Sequence, residues 1–312
     1  MLRILRVRNI QYKTEKSNDR KRMGENKGTE PASDIRVGCS GWSYEDWVGP
    51  FYPKKAKPKD FLRFYSSAFD AVEIDSSFYR IPNQFMIAQW NKSTPSNFLF
   101  CPKFPKKVTH DFKLQNAGST VNFFYKTMAG LKDKLGPIVV QLPPSFKYEK
   151  GFSILQNFIS SDLKTKLFRH AVEFRHKSWF RDDVYRFLET NNVSFCWSIT
   201  QYVTTPTKLT SDFIYTRMVG ERDITKFNET QKDRSKQMNE MSQAVKSSIG
   251  SVDDAFIFFN NHFAGFGPES VNEFKRLLGL METDFRKLQP PAEGIPEEIS
   301  APSGQQKSML DF

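Results

Sequence analysis

Eight short apolar runs recur along this chain of 312 residues, and nearly every one ends in polar or charged side chains. They are IRVGCSGW (35–42), AVEIDSSFY (71–79), FLFCPKF (98–104), PIVVQLPP (137–144), HAVEFRH (170–176), VSFCWSIT (193–200), DFIYTRMVG (212–220) and AFIFFNNH (255–262). Most are separated by stretches with helical spacing, and alternation of strand and helix argues an α/β fold built on a parallel sheet. Eight such units in about 250 residues match a (β/α)8, TIM-barrel-like single domain. Such barrels carry their chemistry at the carboxyl ends of the strands, where the polar residues collect here.

The rhythm holds over residues 35–288, which are assigned to the barrel domain. Residues 1–34 are polar and basic, without apolar periodicity after Ile10, and are expected to be a disordered tail. Their opening, MLRILRVRNI, is too broken in its apolar content for a secretory signal, and Met23 is an alternative start. Residues 289–304, rich in Pro, Gly and Glu, have linker composition, and residues 305–312 form a separate terminal peptide.

Charge narrows the partners. The chain carries +11; residues 1–34 hold nine Lys/Arg against five acids and residues 289–312 one Lys against four acids, leaving +10 on residues 35–288. A core this basic suits polyanionic partners such as nucleic acid or phosphorylated metabolites, and simple solubility charge is an equal reading. No apolar stretch reaches the roughly 20 residues that span a bilayer. Cys39, Cys101 and Cys196 all fall inside strand runs and read as reduced core residues, which places the protein in the cytoplasm.

Strand parity sorts the polar residues, because alternate side chains face opposite sides. Val72, Ile74 and Phe78 share one face; Glu73, Asp75 and Tyr79 share the other. The same rule turns Lys103, Gln141, Glu173, Arg175, Arg217, Asn260 and His262 inward. Burying so many charges costs several kcal/mol each unless they pair, which argues for a binding or catalytic purpose. Glu73, Asp75 and Glu173 are expected to act as acid/base carboxylates, with Lys103, Arg175 and Arg217 clamping an anionic oxygen. Alternatively Glu73, Asp75, Glu173, His176 and His262 hold a divalent metal, although no HxH or HExxH spacing supports one and the cofactor is left open. Trp42 and Tyr44, from the aromatic loop 41–53, with Tyr79 and Trp179 are candidates to stack a ring. Gln141, His176, Asn260, Asn261 and His262 are candidates to orient the substrate. His110 and His170 read as ordinary surface or loop residues.

Five of these segments carry a family resemblance. VGCSGWSYEDWVGPFYP, VEIDSSFYRIP, LGPIVVQLPPSF, AVEFRHKSWF and FNNHFAGFGPESV resemble, in order, the signatures of the YecE-like family, domain of unknown function 72, over roughly residues 35–280. The resemblance implies a TIM-barrel-like fold and supplies no activity. One departure is visible: the seventh strand of the family ends in an Arg-Leu-His-Gly pattern, whereas this chain has Arg217-Met218-Val219-Gly220. The missing imidazole weakens any mechanism that needs one there.

The terminal peptide resembles a second known pattern. Gln306, Met309 and Phe312 fit Q-x-x-hydrophobic-x-x-aromatic, the motif by which replication and repair proteins dock on the sliding clamp, PCNA. One helical turn brings Met309 and Phe312 together as an apolar plug, while Gln306 reaches polar groups at the rim. The leading expectation is therefore an enzyme acting on nucleic acid or a phosphate ester, such as a repair nuclease recruited by the clamp and so associated with the nucleoid. The alternatives are an isomerase, lyase or hydrolase of a phosphorylated sugar, and a non-catalytic scaffold bound to the clamp.

Overall fold

The apolar runs fold as nine strands among the described residues, every paired one parallel to its neighbour. They are β1 (Asp34–Cys39), β2 (Ala71–Ile74), β3 (Leu99–Pro102), β4 (Ile138–Gln141), β5 (His170–Glu173), β6 (Ser194–Phe195), β7 (Trp197–Thr200), β8 (Phe213–Gly220) and β9 (Asp254–Phe259). The count exceeds eight because the run VSFCWSIT is interrupted at Cys196 and yields both β6 and β7. The structure, a computed structural model, describes residues 34–288. The expected tail up to residue 33, the linker and the peptide bearing Gln306, Met309 and Phe312 lie outside them.

The fold is mixed α/β, with strand orders β1-β9-β8-β7, β2-β3 and β4-β5-β6 in three parallel sheets. Isolated parallel bridges from Ser40 to Glu73 and from Lys103 to Val139 connect the ends of these sheets. Helices follow most strands, as the helical spacing between the runs predicts, including Pro58–Ala68, Gln84–Lys92, Gly118–Met128, Asp182–Thr190 and Gly267–Leu278. The one after β4 spans Tyr148–Asn157. No helix is found between Gln201 and Ser211, as the short spacing there predicts. Among the described residues no helix is long and apolar enough to cross a membrane.

Local chemistry explains the packing that sets the strand ends. Pro58 opens its helix at the first turn, where a missing N–H costs nothing, and Phe61, Leu62 and Tyr65 bury its inner face. The Tyr65 hydroxyl donates to the Ala71 carbonyl at 3.0 Å and accepts from the Cys39 N–H at 2.6 Å, fastening β1 and β2 to that helix. Gly38 is required at this crossing, since a Cβ there would lie 2.1 Å from the Ala71 carbonyl oxygen. Between the strands, small and aromatic side chains (Ala71, Cys101, Val139, Ala171, Cys196, Phe256) form a dry layer. All three cysteines are free and buried.

Candidate functional site

Above that layer, two residues further along the strands and so on the same face, the side chains become ionic. Glu73 leaves β2, Gln141 β4, Glu173 β5 and Arg217 β8, and Lys103 follows β3; all five are buried. Arg217 is the hub. Its Nε and Nη2 donate to the two oxygens of Glu73 at 2.7 and 2.8 Å, and its Nη1 donates to Glu173 and, at 3.3 Å, to Gln141. A guanidinium presents its N–H groups in a fixed fork, so two carboxylates and an amide can be held from one side chain.

Glu73 is satisfied on every side. Besides Arg217 it accepts from the Ser40 hydroxyl at 2.8 Å and the Tyr215 hydroxyl at 3.0 Å, and the Lys103 ammonium stands 3.7 Å away. Burial alone would raise its carboxyl, but Arg217 and then Lys103 outweigh that and hold the group at about 2. Glu173 is likewise claimed, by Arg217 and by Arg175 Nε at 2.6 Å, while Arg175 Nη2 reaches Gln141 at 2.9 Å.

The open side of this layer is a cavity of about 270 Å³. Lys103, Arg175, Arg217 and Arg222 line it, with Asp75 as the carboxylate among its walls. Glu73 and Glu173 are not in the lining; they sit fully buried beneath it. Asp75 contacts the Lys103 ammonium, accepts from Asn260 Nδ2 at 3.3 Å and lies 3.8 Å from Arg217 Nη2. His262 completes that side; burial and then the charge of Arg222 push its imidazole below the usual histidine range. Tyr44, Phe78, Tyr79 and Phe227 supply aromatic walls, and Tyr79 is 73% exposed at the rim.

The structure therefore brings together most of the residues singled out in the sequence: Tyr44, Asp75, Tyr79, Lys103, Gln141, Arg175, Arg217, Asn260, Asn261 and His262 all line the cavity. Asn261 also has a packing task, since its buried Oδ1 accepts from Trp47 Nε1 at 3.2 Å and from the Gly267 N–H at 2.9 Å. Besides Glu73 and Glu173, three candidates are not brought to the cavity lining. Trp42 packs edge-on against Trp90 at 5.3 Å and Trp179 is fully buried with its Nε1 donating to the Phe146 carbonyl at 2.7 Å. His176 caps the short turn Lys177–Trp179, accepting from the Ser178 N–H at 3.1 Å. For the two indoles, burial of a large apolar surface sets the position. Among the described residues no three of His, Cys, Asp and Glu gather as a metal-ligand set, and the carboxylates once considered for one are spent on Arg217, Arg175 and Lys103.

Phe78, Val219, Arg222 and Phe227 line the cavity without having been singled out. Phe78 was expected on the opposite face by parity, but β2 ends at Ile74 and Ser76–Tyr79 form a helical turn, so the alternation stops. Arg222 and Phe227 come from the irregular segment after β8, which has no periodicity to betray a face. His110, taken for an ordinary loop residue, meets the Phe78 ring at 5.0 Å; burial and then the charge of Arg175 lower its imidazole to about 4. His170 is no surface residue either: it is fully buried, with Nε2 2.8 Å from the Tyr125 hydroxyl.

Comparison with known proteins agrees with the family resemblance. The family model for DUF72, described as a protein of unknown function, matches residues 36–294. UPF0759 protein YecE of Escherichia coli (strain K12) is 28% identical over 146 residues, covering 47% of this chain and 50% of that protein, so the match spans about half the length of that relative. UPF0759 protein YunF of Bacillus subtilis is 24% identical over 290 residues, 82% of this chain and 98% of that one. Among solved structures, a DUF72 family protein of Thermotoga maritima superposes with a TM-score of 0.68 at 27% identity, covering 79% of this chain and 99% of its own. One from Enterococcus faecalis gives 0.65 at 21% identity, covering 85% and 100%.

Proposed function

From the premise that this chain belongs to the DUF72 family of unknown function, we propose that its cavity binds a small phosphate ester and that the protein is an enzyme acting on it. The observation that carries the proposal is the asymmetry of charge across one layer: four cationic side chains (Lys103, Arg175, Arg217, Arg222) face the cavity, against Asp75 alone among carboxylates. Glu73 and Glu173 balance the ionic layer from below, which holds Arg217 and Arg175 at fixed positions without presenting negative charge to a ligand. Pre-positioned guanidinium groups in a recess of low dielectric are a strong anion site. Glu73 and Glu173 are thus assigned a positioning role in place of the acid/base role expected from sequence. Asp75 and His262, both facing the cavity, are assigned proton transfer, and the aromatic walls the sugar or ring of the ester. We propose further that the three sheets are arcs of one closed (β/α)8 barrel, a reading supported by the bridges at Ser40 and Lys103 and by the single run that carries β6 into β7.

A second reading, in which the ester is part of a nucleic acid, is supported by the +10 charge of residues 35–288 and by the exposed rings of Tyr79 and Tyr202, the latter lying 5.7 Å from the Arg175 guanidinium. Recruitment to a sliding clamp through Gln306, Met309 and Phe312 belongs to that reading. Calorimetric titration separates the two. D-Ribose 5-phosphate binding where D-ribose does not, with Arg222→Ala weakening it, supports the small ester. Absence of binding by ribose 5-phosphate and by inorganic phosphate refutes it. Salt-sensitive capture of single-stranded DNA in place of ribose 5-phosphate transfers the case to nucleic acid.

A further inference from the structure

The ionic layer divides into two unequal halves. In the sealed half, Glu73, Glu173, Tyr215 and Ser40 are satisfied beneath the cavity by one another and by Arg217, which also lines it. In the open half stands one amine, that of Lys103, with one carboxylate of its own, Asp75. The backbone of Lys103 is pinned where β3 ends, its N–H donating to the Ser77 hydroxyl at 2.9 Å. Its side chain is only 7% exposed, and the exposure it has is to the cavity.

The groups facing this amine come from several elements: Glu73 at 3.7 Å from β2, Asp75 just after it, the Arg217 guanidinium from β8, and His110 from the segment after β3. Glu73 is shared with Arg217, so the ammonium does not hold that carboxylate alone. Burial, and then Arg217, pull Lys103 below the ordinary lysine range, against the pull of Asp75 and Glu73. A desolvated lysine beside a fixed cation and a carboxylate that can take its proton is the chemistry of an amine nucleophile.

We propose that Lys103 is the nucleophile for a carbonyl group, so that the substrate of the cavity is an aldehyde or ketone that also bears a phosphate. This deepens the phosphate-ester reading and rests on it. The step balances as follows. The Lys103 ammonium gives one proton to Asp75, and the free amine attacks the carbonyl carbon. The C–N bond forms as the carbonyl π pair moves to oxygen, which takes a second proton from the nitrogen. Asp75 then returns its proton to that hydroxyl, which leaves as water while the nitrogen lone pair closes the C=N bond of a protonated imine. One water is released, no redox partner is needed, and the phosphate is held by Arg175 and Arg222 throughout.

Pyridoxal 5′-phosphate, an aldehyde with a phosphate, is a suitable probe because imine formation followed by borohydride reduction leaves a permanent mass tag. The full chain is labelled at neutral pH for short times, reduced, digested and mapped by mass spectrometry. Lys103 is expected to label about tenfold or more faster than the exposed Lys59, with inorganic phosphate slowing the reaction and Lys103→Arg abolishing that tag. Lys103 labelling no faster than Lys59, while inorganic phosphate still raises the melting temperature, overturns the nucleophile and leaves the phosphate site standing. Fast labelling that phosphate neither slows nor matches with a thermal shift overturns the phosphate-ester half instead. The comparison of two lysines in the unaltered protein holds even if Lys103→Arg folds poorly.

Discussion

Replacing Glu73 by Gln removes one charge while keeping the shape of a side chain that no solvent reaches. The carboxylate accepts from Arg217 at 2.7 and 2.8 Å, from Ser40 at 2.8 Å and from Tyr215 at 3.0 Å, so the amide of Gln would turn an N–H toward donors. Two routes give the magnitude. Breaking one side of a buried ion pair costs about 3–5 kcal/mol. Independently, a carboxyl held at about 2 against an ordinary 4.5 contributes about 3 kcal/mol at neutral pH. Because the folded-state value is depressed, that contribution is complete above 4.5 and is lost as pH falls toward 2. Glu73→Gln is therefore expected to lower unfolding free energy by about 3 kcal/mol at pH 7 in urea titrations, or roughly 6–12 °C in melting temperature. The variant should also lose much of the wild-type decline in stability between pH 4.5 and 2.5. A variant within about 1 kcal/mol of wild type, with an unchanged acid slope, would refute the claim that this network is the rigid base of the site.

Three further outcomes follow from particular contacts. Arg222→Ala, at an exposed position, should leave unfolding within about 0.5 kcal/mol of wild type while weakening ribose 5-phosphate binding about tenfold or more by calorimetry. Lys134→Met should destabilise by about 2–3 kcal/mol in urea, since its Nζ donates to the carbonyls of Asn91 at 2.5 Å and Thr94 at 2.6 Å where little water reaches. The thiols of Cys39, Cys101 and Cys196, all buried and pushed up by that burial, should resist a disulfide reagent in the native state and react in guanidinium; fast native reaction at any of them would contradict the packing.

The fold was legible where a repeat length reports a face. Alternation placed Glu73, Lys103, Gln141, Glu173 and Arg217 in one layer, and the structure brings them together there because each follows a run of continuous parallel pairing. Parity lost its meaning where the backbone left the strand: Phe78 reaches the cavity through the helical turn Ser76–Tyr79. Cys196 broke one expected strand into two, a detail of register that hydropathy does not encode. Aromatic density in the 41–53 segment was a true signal for Tyr44, which lines the cavity, and a false one for Trp42, whose ring is taken up by Trp90 and Phe100. The division of labour among the ionic groups was out of reach from sequence, because it depends on which carboxylates Arg217 claims. Glu73 and Asp75 are two residues apart and share a face, yet one is sealed beneath the cavity and the other opens into it.

A crystal structure determined with D-ribose 5-phosphate bound tests the central claim most directly. The phosphate is predicted to lie against Arg175, Arg217 and Arg222, with Arg217 still joined to Glu73 and Glu173 below. Electron density placing the phosphate outside this cavity, or an Arg217 detached from Glu73 in the ligand-free crystal, would contradict it.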